Sequence, residues 1–430
     1  MMRPLAPSVL LSLLAAAPLS GQTLQDNIEG LFVFGSCGEA LCLDVDPLEH
    51  GRHFIPAIED AQGNMLSFLT NSIGVAVANA PISAATSGAI WGTSESGLPV
   101  RTATSAGPLY AERAQTLGKG HFLFGAGVSG FKFTSIRSAP LNGLVFDFTH
   151  VDDNDDGLGS PAFENDIFQV RSNLDVSLFA VTGVLTYGLL DMVDVGVAVP
   201  LVHASIDGVS NAQIIPAVPD TPHQLGTPGN PSLTASTSTS GSSTGIGDIA
   251  ARVKVRVAQN ERTGFGLLGE VRFPTGKEED LLGLGELSVR GMGIVSGRYG
   301  GFGPHLNLGF LYRGGDLQNN SFLATLGFDQ LLGSWATFAA DVITAWQVGD
   351  TKLRQPAPVV LNTPLGGGSS ARIIPRSNIP ESKDNVIQGS FGFKFTAPSG
   401  ITVITNALIP IRRGYLQPDV AWTAGVEYSF

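Results

Sequence analysis

The sequence predicts an exported, closed antiparallel β-barrel spanning the outer membrane of a double-membraned bacterium. Three observations carry that expectation. The chain opens with the layout of a secretory signal: one cation at Arg3, an apolar run over 5–19, then small residues at Ser20 and Gly21. Only 14% of the residues are charged, and 54 of 430 are glycine, whereas an ordinary globular domain is about one-quarter charged. From residue 120 onward the chain alternates apolar and polar residues with a period of two, and no stretch reads as a clean helical span. In lipid every backbone polar group must be paired internally, so an apolar exported chain without spanning helices closes into a barrel.

Residues 1–21 are read as the signal peptide, with cleavage after Gly21 or Ala17. Residues 22–85 do not alternate. Ile58–Ser72 reads as a helix, with Leu66, Leu69 and Ile73 at helical spacing, and Gly74 and Pro81 punctuate it. This segment is expected to form a plug entering the barrel from the periplasm, because its apolar face needs a surface to cover it. The alternative is a small periplasmic appendage.

Residues 86–430 form the barrel. Strands are expected at 120–136, 170–189, 193–206, 245–258, 264–274, 284–297, 301–313, 320–329, 335–348, 384–397, 400–410 and 418–430. That gives twelve. A hairpin over 86–94 and 100–112 would make fourteen, the preferred count, since a wider ring leaves room for a plug. Short connections at 190–192, 259–263, 298–300, 330–334 and 398–399 alternate with longer ones, the asymmetry of periplasmic turns and external loops. The longest is 207–244, which includes the Ser/Thr-rich run 234–241 and reads as an external loop.

Facing follows from parity. Ala251, Val253, Val255 and Val257 alternate with Arg252, Lys254 and Arg256, and a one-residue slip would put three cations into lipid. The same rule places Arg171, Asp175, Glu270, Arg272 and Glu286 inward. It adds Arg290, His305, Asp341, Lys394 and Glu427, with Asn173 and Asn307 beside them. These line a polar solute pathway or grip a plug as paired charges.

Gly245–Lys254 (GIGDIAARVK) and Val271–Gly285 (VRFPTGKEEDLLGLG) resemble segments of the outer-membrane family named for the meta-pathway of phenol degradation. Ala111–Gly118 (AERAQTLG) resembles a segment of relatives carrying an N-terminal plug. The resemblance is strongest over 245–285 and implies a barrel distantly similar to fatty-acid and aromatic-hydrocarbon outer-membrane transporters. Read physically, Pro274 ends a strand because it cannot donate to the ladder, and Lys277–Asp280 is a charged rim tip.

Other features admit sharper and plainer readings. Cys37 and Cys42 reach an oxidising compartment after export, which favours a disulfide over two buried thiols. Asp152, Asn154 and Asp156 resemble the start of a calcium loop, but the twelfth position is Phe163, so a solvated acidic loop is preferred and no metal is assigned. His203, Ser205 and Asp207 share a strand face without an oxyanion hole or nucleophile elbow, so an enzyme is not expected. Tyr428 and Phe430 end the chain on the lipid face, which suits the interface and resembles a signal read by the barrel-assembly machinery. The net charge of −12 argues against nucleic acid.

The expected function is passive passage of a small solute, hydrophobic or aromatic in character, with residues 22–85 as the gate. The alternative is a sealed barrel serving structure or surface contact. The expected partners are outer-membrane lipid, lipopolysaccharide, the assembly machinery and the solute. No cofactor is expected.

Overall fold

The computed structural model describes residues 22–35, 38–43, 54, 65–78, 91–93, 99–101, 106–150, 165–217, 219, 221, 223–227, 229–365 and 368–430. Twelve antiparallel strands close into one barrel. The first six are β1 Phe122–Ile136, β2 Ile167–Leu190, β3 Val193–Ile215, β4 Ala250–Gln259, β5 Thr263–Arg272 and β6 Ser288–Gly297. The remainder are β7 Phe302–Arg313, β8 Ser321–Leu331, β9 Ala336–Gln347, β10 Val386–Thr396, β11 Thr402–Arg412 and β12 Leu416–Ser429. Each strand pairs with its neighbour in sequence, and the ring closes where β12 meets β1, with Ser429 opposite Leu123. Phe122 and Phe430 complete the seam by exchanging two backbone hydrogen bonds of 2.8 and 3.0 Å.

The preferred count of fourteen is therefore corrected to twelve. The hairpin Trp91–Thr93 with Pro99–Arg101 pairs only with itself. Once β1 and β12 are joined the ring has no edge left to receive it. Short turns at 191–192, 260–262, 298–301, 332–335 and 397–401 mark one end of the barrel, as expected, and the long connections mark the other.

A second correction concerns β3, expected to end at residue 206; β2 matches its expected 170–189 to within three residues. β2 and β3 run for 24 and 23 residues, about twice their neighbours. The stretch expected as a loop over 207–244 continues β3 to Ile215, and Thr234–Ile246 returns along it, with Thr239 opposite Gly208. Asn142–Thr149 flanks the same end of β2. These four strands raise a wall beyond the long-loop rim. The Ser/Thr run looked like a loop because it lacks apolar residues. Its alternating burial is nonetheless that of a strand with one face covered.

Polarity divides the molecule at the base of this wall. Below it, the outward positions are apolar and exposed, as with Leu185, Val197, Phe265, Leu326, Phe391 and Trp422. Such an apolar belt around a closed barrel is the kind of surface that outer-membrane barrels turn to lipid. Among the described residues no helix is long and apolar enough to cross a membrane. Above the belt, the inner face of the wall is apolar: Leu174, Val176, Leu178, Val202, Ala204 and Ile206 are buried.

Two helices fill that inner face. α1, Leu24–Gly30, starts with a capping box in which Thr23 and Asp26 satisfy each other's backbone N–H. α2 spans Met65–Ala78 and so runs past the expected end at residue 72, while the expected start lies in residues 55–64, outside the described residues. Leu24 and Ile28 of α1 and Leu66, Leu69 and Ile73 of α2 join one core with the wall. Phe32, just after α1, meets Phe146 and Phe148 edge-on at 5.5 and 6.0 Å. The helices thus sit at the long-loop end, whereas the plug was expected to enter from the short-turn end.

Candidate functional site

Residues 106–121 run inside the barrel. Inward side chains accept this segment's backbone donors one after another. Thr337 Oγ1 takes the N–H of Ala106 at 3.0 Å, and Asp341 takes that of Tyr110 at 3.2 Å. Asn307 bonds both the N–H and the C=O of Glu112, at 2.6 and 3.0 Å. Ser296 takes the N–H of Ala114 at 3.1 Å, and both Asp194 oxygens take that of Leu117, at 3.0 and 3.1 Å. An extended segment has no ladder of its own, so the wall must supply every partner. At the short-turn end it turns into β1 through Gly118 and Gly120, with φ of +91° and +84°. A Cβ on Gly188 would meet the Gly118 carbonyl at 1.8 Å, so the corner rests directly on the wall backbone.

Side chains of the segment are gripped as firmly. Glu112 pairs with Arg252 at 3.2 Å and with Lys254 at 3.5 Å, while Lys254 also lies 3.9 Å from Asp194. Arg113 pairs with fully buried Asp329 at 2.5 Å. His305 Nε2 lies 2.6 Å from Asp341 and its Nδ1 lies 3.8 Å from Asp329. Lys394 and Glu427 are buried on the same inner surface.

Above the segment lies a cavity of about 280 Å³ with two unlike walls. Arg252, Glu270, Arg272, Glu286, Arg290 and Arg313 come from the β4–β7 side, and Phe131, Phe133, Leu323, Ile343 and Leu408 from β8, β9, β11 and β1. Glu270 ties the charged wall together, 2.6 Å from Arg290 and 3.9 Å from Arg272. Tyr110 and Glu112 of the luminal segment form its floor, and Ala76 of α2 contributes from the long-loop side.

Most of the expected inward set is therefore brought together. Arg252, Glu270, Arg272, Glu286 and Arg290 line the cavity, and Lys254, His305, Asp341, Lys394 and Glu427 lie below it. Arg256 sits at the short-turn end, bonding Gln259 and the Asp191 carbonyl. Arg171 and Asp175 are corrections. They share parity with Phe179 and Leu185, so they face outward, on the wall above the lipid belt. Arg171 bonds Gln169 at 3.0 Å, and Asp175 pairs with Lys132 at 2.7 Å. Asn173 is exposed beside them. Parity set the face correctly; what failed was the assumption that polar means inside along the whole strand.

His203, Ser205 and Asp207 are also outward, and each is occupied separately. They bond Thr244, Ser177 and Ser240 at 2.7, 2.7 and 2.6 Å. Cys42 is buried and no described cysteine is free, while Cys37 lies outside the described residues, as do Asp152, Asn154 and Asp156. The aromatic end is ordered as a stack, with Phe430 5.6 Å from Tyr428 and 5.7 Å from Phe122.

Asp194, Asp329 and Arg313 were missed, as were Tyr110, Glu112 and Arg113. The first three obey the parity rule and could have been found by it. The others lie on a segment without alternation, and only the resemblance of Ala111–Gly118 marked it. The two stretches of strongest resemblance also meet. Asp248 accepts from Gly276 N at 3.0 Å, and Thr275 bonds Gly247 O and Ile249 N at 2.7 and 3.0 Å. A Cβ on Gly276 would stand 2.4 Å from Leu282 O, so this rim clasp needs glycine.

No family model matches the chain, and no curated protein matches it in sequence. Solved structures do. An outer membrane channel from Pseudomonas putida F1 is similar over 74% of this chain and 98% of its own, at 12% identity and a TM-score of 0.42. A Pseudomonas aeruginosa FadL homologue covers 72% of this chain and 89% of its own, at 11% identity and a TM-score of 0.31. The CymD monoaromatic hydrocarbon channel covers 73% and 89%, at 9% identity and a TM-score of 0.33.

Proposed function

We infer that this barrel is a passive outer-membrane channel for a small solute with an apolar body and a polar end. The observation that carries the reading is the two-walled cavity seated on residues 106–121. One wall offers guanidinium and carboxylate groups to the polar end, and the other offers aliphatic and aromatic surface to the body. The solute moves down its gradient, and the luminal segment is the gate. α1 and α2 cover it from the long-loop side. The resemblance of 245–285 to the meta-pathway family accords with such a solute.

The test is flux. Proteoliposomes should pass small aromatic solutes in preference to sugars of equal size. The double variant Asn307→Leu, Ser296→Ala removes two anchors of the segment and should raise conductance, as should deletion of 23–85. A barrel that stays sealed to every solute in all three forms would refute the channel. It would favour the second reading, a surface-interaction barrel, for which the raised polar wall is the supporting observation.

A further inference from the structure

The cavity shows its bases and hides its acids. Across β4, β5 and β6 one rung reads Arg252, Glu270 and Arg290, and Arg272 stands two residues along β5 from Glu270. The side chains of Arg290, Arg272 and Arg252 are 31%, 24% and 14% exposed, against 11% for Glu270 and 5% for Glu112. The other two acids of the lining are held by backbone. Glu286 Oε1 accepts from Leu317 N at 3.1 Å and its Oε2 is buried, while Asp248 is 8% exposed and bonds Gly276 N in the rim clasp. Among the described residues of the lining, four arginines balance four acids in number. The charged surface that a solute meets is nonetheless mostly arginine.

The opposite side offers aromatic faces. Phe131 and Phe133 both line the cavity and stack, with centroids 6.3 Å apart and planes within 13° of parallel. Such a pair suits a ring-bearing body better than an alkyl chain. The volume of about 280 Å³ lies at the small end of ligand cavities, which run to roughly 1,000 Å³. One ring fits it and a long chain does not. For the polar end, a planar guanidinium bonds a carboxylate through two parallel N–H···O contacts, and these are stronger than the bonds it makes to a neutral amide.

We propose that the cavity selects by charge, taking single-ring monocarboxylates ahead of their neutral analogues, with Arg272 and Arg290 contacting the carboxylate. The inference deepens the channel reading and rests on it for how the solute arrives and leaves. Balanced charge in the lining suits passage: the anion is read at short range by the exposed guanidiniums, while the carboxylates behind them keep the hold weak enough for release.

The test is binding, read by saturation-transfer NMR on the full chain in detergent at neutral pH, with protein-free micelles as the blank. The probes are benzoate and benzamide, which match in size and differ in charge. Wild type should bind benzoate about tenfold more tightly, the margin of a charge-assisted bond over a neutral one. The double variant Arg272→Gln, Arg290→Gln should bring benzoate down to the level of benzamide and leave benzamide unchanged. Heat-modifiable migration checks that each variant is a folded barrel. Arg290→Lys keeps the charge but loses the fork, and it reads the same contact should the double variant not fold: benzoate should weaken severalfold and benzamide should not. Equal affinity of wild type for the two probes overturns the proposal, as does unchanged benzoate binding in a folded variant. Preferential benzoate binding by a barrel sealed to every solute would support the charge-selective site and refute the channel. Equal binding by a barrel that passes both probes would do the reverse.

Discussion

The raised wall and the lipid belt are made from the same strands with opposite polarity. Along β2, the outward positions change from apolar Leu185 and Phe179 in the belt to charged Asp175 and Arg171 above it. On the other side, Thr186 and Thr182 face the polar lumen, whereas Val176 and Leu174 face α1 and α2. The backbone alternation never breaks. What changes is which side is apolar: the outer face below, over a polar interior, and the inner face above, against a packed core. Periodicity therefore fixes which residues share a face, and the surroundings at each height decide which face is apolar.

The largest effect should come from reversing the wall. Ile206→Asp puts an unpaired carboxylate into the apolar inner face, where Ile206 is 1% exposed, and should cost about 3–5 kcal/mol. Its outward neighbour Asp207→Val should be close to neutral. Urea unfolding in detergent, followed by tryptophan fluorescence, compares them, and equal costs would break the distinction.

Next is the belt. Leu185→Arg should cost about 2–4 kcal/mol for refolding into bilayers, as a cation near the membrane centre does. Val209→Arg has the same outward parity above the belt and should change stability little. Similar losses at both would mean that the lipid boundary lies higher than the base of the wall.

A smaller effect concerns pH at the top of the wall. Burial alone would raise the Asp166 carboxyl, but hydrogen bonds from His223, Thr221 and the Ala217 N–H outweigh it and hold it below the ordinary value. A carboxyl lowered in the folded state stabilises above its unfolded pKa of about 3.9, and that contribution is lost as pH falls through the lower, folded value. Hydrogen exchange at Ala217 and His223 should be flat from neutral pH to about pH 4.5 after correction for intrinsic rates, then accelerate. Asp166→Asn should weaken this cap by about 1–3 kcal/mol and remove the acid step. A step that survives the substitution would assign it to another carboxylate.

The smallest effect is expected at Arg413–Asp419, 2.6 Å apart, with Arg413 half-buried and Asp419 exposed. Asp419→Asn should change stability by less than about 1 kcal/mol, and less still at high salt.

Much of this was legible in the sequence. Period two placed all twelve barrel strands within a few residues, except where β3 continues past residue 206 into the wall. That continuation and its returning strand were lost because Thr234–Ile246 is nearly all Ser, Thr, Gly and Ala on both faces, so no apolar contrast betrays its alternation. Its covered face needs small residues: a Cβ on Gly241 would stand 2.2 Å from Asn27, and across the ladder one on Gly208 of β3 would stand 2.7 Å from Leu31. The cavity's charged wall was legible because a cation in lipid is so costly that the register had one solution. Residues 106–121 were not legible, since an extended segment bonded by side chains from seven strands leaves no periodic trace.

The corner at Gly118–Gly120 gives the luminal segment an unusual status: it is a ligand covalently attached to its own receptor. Displaced into the cavity or the periplasm, it stays within a few residues of β1, at an effective concentration that short flexible tethers bring to the millimolar range. Re-occupation of the lumen is then unimolecular and independent of how much protein the membrane holds. A free peptide copying 106–118 would have to exceed that same millimolar threshold to compete. Anything that displaces the segment works against a competitor that never diffuses away.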